Sequence, residues 1–198
     1  MATSGLFNVE KQLAFYGAYH SNKVNVLIHI CCVPLILWSF QALVAPLKVP
    51  GFLPTYYYRI NDYLVFDVNW ATIMGVIYLA YYFMLEPLAA FLYTPQMAMM
   101  VMSATAFSQK PGYFSQAVAV HAICWIAQFI GHGVAEKRAP ALLDNLIGAV
   151  VLAPFFVHLE LLYGVGYRPE MHKRVNNAIG KEIARIRKEE GDKRRKAQ

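Results

Sequence analysis

The sequence predicts an all-α, polytopic membrane bundle with about 4–6 membrane helices or re-entrant segments and a basic C-terminal tail. Three observations carry that prediction. Of its 198 residues, 58% are hydrophobic and only 15% charged, whereas soluble domains run near half apolar and about a quarter charged. The apolar residues fall in long runs rather than in the alternating or amphipathic segments of a soluble core. The formal charge of +6 belongs to the tail: from Arg168 onward there are 11 Lys/Arg against 5 Asp/Glu, and the preceding 7 of each sign cancel. Such placement marks a membrane-proximal, cytosolic tail under the positive-inside rule. It argues against a nucleic-acid partner.

The elements follow in chain order. Residues 9–20 form a short amphipathic helix with Leu13, Phe15, Tyr16 and Tyr19 on its apolar side, lying at the interface. The N-terminus lacks the basic n-region, clean apolar h-region and cleavage site of a signal peptide, so the first membrane helix is expected to direct targeting. That helix is residues 24–45, 22 positions without a formal charge and with Pro34 as a kink. Residues 46–69 carry Pro46, Pro50, Gly51, Pro54 and the run Tyr56-Tyr57-Tyr58, and are read as an interfacial loop with an aromatic belt. Residues 70–107 are too long for one span and are read as a helical pair turning near Glu86-Pro87 or Thr94-Pro95. Residues 113–133 form another span and 141–166 a further one, interrupted at Ala153-Pro154 and read as either one kinked helix or a re-entrant pair. Five simple crossings put the N-terminal helix and the basic tail on opposite sides. Either one run stops short of crossing, or the tail is not cytosolic. Residues 1–166 are taken as the membrane catalytic domain and 167–198 as a solvated, fraying tail.

Ionisable groups inside membrane helices cost several kcal/mol each unless paired or ligated, which makes the few present here functional candidates. In HAICWIAQFIGHGVAE, the residues His121, Gln128, His132 and Glu136 share one helical stripe at about 100° per residue. His132 and Glu136 stand at i, i+4, where two side chains can converge on one ion. Gly131 and Gly133 flank the histidine and permit close approach. His20 sits at the mouth of the first membrane helix, with His29 inside it and Asn25 one turn above on the same face. Histidines and a carboxylate from two helices suit a borderline or redox-active divalent metal such as iron or zinc. A buried His–Glu hydrogen bond explains the same pattern.

Asp144 and Asn145 read either as partners that orient ligands or as a helix cap and a paired charge. His121 lies roughly 16 Å along the axis from His132 and cannot share one metal with it on a continuous helix. Glu86 and His172 are read as structural. Cys31, Cys32 and Cys124 have no metal-like spacing and are read as reduced thiols.

The segments YGAYHSNKVNVLIH, WIAQFIGHGVAEKRAPALLDN and LAPFFVHLE together resemble the yeast-type 2-hydroxy fatty acid dioxygenase family of phytosphingosine α-oxidation. The resemblance implies a multi-pass endoplasmic-reticulum membrane enzyme, in contact with the lipid bilayer. It would use Fe(II), with O2 as co-substrate, to shorten 2-hydroxy long-chain fatty acids by one carbon. It implies His20, His29 and His132 as iron-binding residues, with Glu136, Asp144 and Asn145 in the same type of segment. His121 and His158 fall outside the motif, and Glu160 beside His158 has no assigned role. Iron with few protein ligands keeps positions for O2 and for a 2-hydroxy carboxylate. Lys23, Lys137 or Arg138 at the water-facing edge could pair with the carboxylate; Asn25 and Gln128 join them as substrate or supporting contacts.

Two other readings stay open at this stage. A histidine-rich di-iron hydroxylase would need HxxH or HxxHH clusters, and the six histidines here form neither. A non-enzymatic lipid transporter or scaffold would use the polar stripe only to hold helices together. The oligomeric state is likewise open.

Overall fold

A computed structural model describes residues 5–136 and 146–196. The described residues form seven α-helices and one small hairpin: α1 (Val9–Tyr19), α2 (Lys23–Val44), β1 (Tyr57–Arg59), β2 (Val65–Asp67), α3 (Trp70–Leu85), α4 (Pro87–Phe107), α5 (Tyr113–Ile130), α6 (Leu146–Gly164) and α7 (Pro169–Lys196). A π-helical turn, Gly131–Glu136, extends α5.

Capping chemistry sets most of the starts. Asn8, Asn22 and Asn69 stand in extended conformation before α1, α2 and α3, and each side chain accepts a backbone N–H of the first turn. The apolar run 70–107 breaks at Glu86. That residue caps α4 through the Ala89 amide, and Pro87 takes the first helical position, where no N–H is needed. Pro34, Pro95 and Pro154 lie inside α2, α4 and α6, so the run from 146 onward is one helix rather than a re-entrant pair.

Two elements depart from the sequence reading. The segment expected to be an irregular aromatic loop contains an antiparallel hairpin, with Tyr58 opposite Phe66. Three consecutive tyrosines hide the period-two alternation that marks a strand. The tail is also not wholly solvated. Met171 and Val175 of α7 are buried in the main core, Ile179 packs in the space above Gly17 of α1, and Arg174 pairs with Glu10 at 2.7 Å.

Helix α2 is the hub and touches α3, α4, α5 and α6. The main core joins α1, α3, α4, α6 and α7 around Tyr82, Tyr93, Phe155, Phe156 and Leu159. The Tyr82 and Phe155 rings stack at 4.4 Å. The Tyr82 hydroxyl donates to the Val151 carbonyl at 2.6 Å, which satisfies its polar end. Outward faces are apolar as well: Leu27, Leu35, Ile77, Met84, Phe91, Ile123 and Ile126 are all exposed. Lys23–Val44 and Tyr113–Glu136 are long and apolar enough to cross a membrane, while Trp70–Leu85 and Val150–Gly164 are apolar but shorter.

Candidate metal centre

Three histidines from three places in the chain meet at the junction of α1, α2 and the π turn. His20 is the C-cap of α1, His29 lies in the second turn of α2, and His132 is the second residue of the π turn. One ligand atom from each lies within 4.8 Å of the other two, which makes them the metal-competent group among the described residues. Ring centroids are 4.4 Å apart for His20–His29, 4.8 Å for His20–His132 and 5.0 Å for His29–His132.

Backbone carbonyls fix two of the tautomers. His20 Nδ1–H donates to Tyr16 O at 2.8 Å, and His29 Nδ1–H donates to Asn25 O at 2.9 Å. Each ring therefore keeps the Nε2 lone pair that a metal requires. The Tyr16 ring stacks on His20 at 3.8 Å with 11° between planes and holds the imidazole's orientation. Burial first, and then the neighbouring His29 ring, hold the His20 pKa well below its ordinary value, so this imidazole is neutral at pH 7. His132 is 4% exposed and its Nδ1 has no hydrogen-bond partner. An orphaned buried nitrogen beside two imidazoles whose Nδ1 atoms are already bonded to backbone carbonyls is a donor set suited to iron or zinc.

Close packing of α5 on α2 makes the meeting possible. A Cβ on Gly131 would stand 2.6 Å from Asn25 Oδ1 and 3.2 Å from Ile28 Cδ1, so only glycine lets the π turn approach here. Gly133, expected to serve the same end, has nothing within 4 Å of its Cβ direction.

Glu136 lies outside the histidine group. Its Oε1 accepts from Ser21 N and Oγ, and its Oε2 accepts from Asn22 N at 2.9 Å and Asn25 Nδ2 at 3.3 Å. Four donors at the α1–α2 corner occupy the carboxylate that the i, i+4 spacing pointed toward an ion. The Asn22 side chain adds a bond to Ala135 O at 3.0 Å.

An elongated cavity of about 270 Å³ opens from the histidines between α2 and α5, with Tyr78 of α3 and Val150, Ala153 and Pro154 of α6 on its flank. Gln128, 7% exposed and one turn before His132, is among the lining residues, and its buried amide nitrogen has no hydrogen-bond partner. His121 lines the far end. His158 packs against Tyr93 at 4.9 Å in the core, Glu160 is exposed, and His172 stacks on Tyr163. Lys23 is exposed on the first turn of α2. Lys137, Arg138, Asp144 and Asn145 lie outside the described residues. Sequence reasoning missed Tyr16, although its i, i+4 spacing to His20 places both on one face of α1.

Fold and centre together define a class: helical proteins with an apolar exterior that carry a three-histidine ligand nest at the head of an internal apolar cavity. The chain belongs to the family described as 2-hydroxy-palmitic acid dioxygenase Mpo1-like, which matches residues 6–165. It is 34% identical over 167 residues to the 2-hydroxy-palmitic acid dioxygenase MPO1 of Saccharomyces cerevisiae, covering 84% of this chain and 87% of the yeast protein. No solved structure matches the chain.

Proposed function

We propose that the chain is an Fe(II)-dependent dioxygenase of the endoplasmic-reticulum membrane that converts a 2-hydroxy long-chain fatty acid to the acid one carbon shorter. The observation that carries this reading is the three-histidine nest at the head of a long apolar cavity. Family membership and the yeast relative's name supply the substrate class. Fe(II) bound there supplies redox chemistry with O2 as co-substrate.

The protein's own groups have distinct tasks in this reading. His20, His29 and His132 hold the ion through neutral imidazoles. Gln128 donates its free amide N–H to the substrate's carboxylate or hydroxyl, since a buried donor without a partner is costly unless a ligand completes it. Lys23 draws the carboxylate toward the cavity mouth. Glu136, committed to Ser21, Asn22 and Asn25, positions the α1–α2 corner and is not a ligand. Apolar walls on α2 and α5 exclude water and hold the acyl tail within the bilayer. The chain is multi-pass in this reading, with α2 and α5 crossing the membrane, residues 1–166 forming the catalytic unit and the basic end of α7 on the cytosolic side.

The test is anaerobic Fe(II) reconstitution of the purified protein, iron analysis, and mass spectrometry of the product formed from 2-hydroxypalmitate once O2 is admitted. His20→Ala and His132→Ala proteins that remain folded and membrane-inserted are expected to lose both stoichiometric iron and turnover. Retention of both by either variant would overturn the assignment.

A further inference from the structure

The cavity has two ends of different character. Along α2 its wall runs from His29 through Val33 and Leu37 to Phe40, and along α5 from His132 through Gln128 and Trp125 to His121. Residues 29–40 and 121–132 each advance eleven positions, so both walls are about 16 Å long at 1.5 Å per residue. That is a slot for an extended chain rather than a pocket for a compact ligand.

At the far end the Phe40 and His121 rings face each other across the slot, with centroids 6.2 Å apart. His121 is held rigidly. Its Nε2 accepts from Trp125 Nε1 at 3.0 Å, which places the proton on Nδ1. That Nδ1–H donates to Ser39 Oγ at 3.0 Å, and the Ser39 hydroxyl donates to Ile36 O at 3.1 Å. With both nitrogens satisfied inside the protein, the ring offers a ligand no polar group and acts as an apolar stop. Past the ring pair the helices close on alanine: Ala42 of α2, Ala117 of α5 and Ala104 of α4 are each 0% exposed and pack together beneath Trp38 and Phe107. The slot therefore ends at Phe40 and His121 instead of continuing between α2 and α5.

We infer that the Phe40–His121 pair is the end stop that sets the longest acyl chain the site accepts. This rests on the reading of the site as one for 2-hydroxy fatty acids, whose polar head sits at the histidines and whose methyl end reaches the ring pair.

The test uses the full-length protein and a graded series of saturated 2-hydroxy acids, with kcat/KM measured for each length. The thermal stabilisation each acid confers without O2 gives a binding readout independent of turnover. Phe40→Ala is expected to move the cut-off to longer chains and to raise kcat/KM for the first rejected length about tenfold or more. Phe40 is 45% exposed, so the change removes little core. Ile36→Phe, which narrows the slot midway, is expected to move the cut-off to shorter chains. Unchanged cut-offs in both variants, with the wild-type protein still binding and turning over 2-hydroxy acids, would overturn the end stop alone. A wild-type protein neither stabilised by nor active on any of the acids would overturn the end stop together with the reading beneath it.

Discussion

Ser21 donates twice to Glu136, from its hydroxyl at 2.6 Å and its amide at 3.1 Å, joining residues 115 apart in sequence. The Asn22 amide completes the clamp on the other carboxylate oxygen. The corner that carries His20 is thereby fastened to the turn that carries His132. Removing Glu136 leaves all three histidines present but unfastens the turn of His132 from the corner of His20, and groups that orient ligands typically contribute 10–100-fold to metal affinity. Glu136→Ala is expected to weaken iron binding by about that factor with the helical content unchanged. Glu136→Gln is expected to fare little better, because in either orientation its NH2 would face the N–H donor of Ser21 or that of Asn22. Iron titration of the folded variants checks this; undiminished affinity in Glu136→Ala would show the clamp to be dispensable.

Gly131→Ala tests the packing that brings α5 onto α2. The added methyl would meet Asn25 Oδ1 at 2.6 Å, and Asn25 is 0% exposed with its side-chain nitrogen on Glu136, so it has nowhere to move. Overpacking of this kind costs about 1–3 kcal/mol. The expected result is a lower unfolding temperature in detergent together with weaker iron binding. Gly133→Ala, with open space around it, is expected to change neither.

The residue types of the centre were legible in the sequence because the surrounding helices are so apolar: His29, Gln128 and His132 stood out against apolar runs. Their meeting was not legible. The i, i+4 spacing of His132 and Glu136 fixes their neighbourhood on one helix but says nothing of what faces them. The donors that claimed Glu136 include the backbone amides of Ser21 and Asn22, which leave no side-chain signature. The break at Glu86-Pro87 could be read from cap chemistry, whereas Pro95 gave the same outward sign inside a continuous α4. There Thr94 Oγ1 bonds to Ala90 O within the helix. The burial of Met171 and Val175 escaped notice because the charged residues around them dominate the composition of α7.

Tyr16 separates the contribution of a ring from that of a hydroxyl. Its ring stacks on His20, its carbonyl orders the His20 tautomer, and its hydroxyl is buried with no hydrogen-bond partner. Tyr16→Phe keeps the stack and the carbonyl and removes an unsatisfied polar atom, so stability is expected to hold or rise slightly. Tyr16→Leu loses the stack and is expected to weaken iron binding by severalfold. Comparison of unfolding temperature and iron affinity in the two variants decides; equal iron loss in both would assign the hydroxyl a direct role at the centre.

Glu86 provides the contrast of a buried carboxylate remote from the histidines. It is 3% exposed and accepts from Ala89 N at 2.6 Å and the Tyr167 hydroxyl at 2.5 Å, while Arg168 pairs with it at 2.9 Å. The carboxylate thus ties the α3–α4 break to the residues that precede α7. Arg168 is half exposed and solvent screens its share of the pair. The hydrogen bonds made inside the protein therefore carry most of the effect. Glu86→Ala leaves the Tyr167 hydroxyl and the Ala89 amide without their acceptor and is expected to cost about 2–4 kcal/mol. Arg168→Ala is expected to cost about 1 kcal/mol or less. In both variants the fraction that folds should bind iron with wild-type affinity, since neither residue touches the histidines. Denaturant unfolding alongside iron titration checks the pair, and an iron defect in folded Glu86→Ala would mean that the α3–α4 break is coupled to the metal centre through the core.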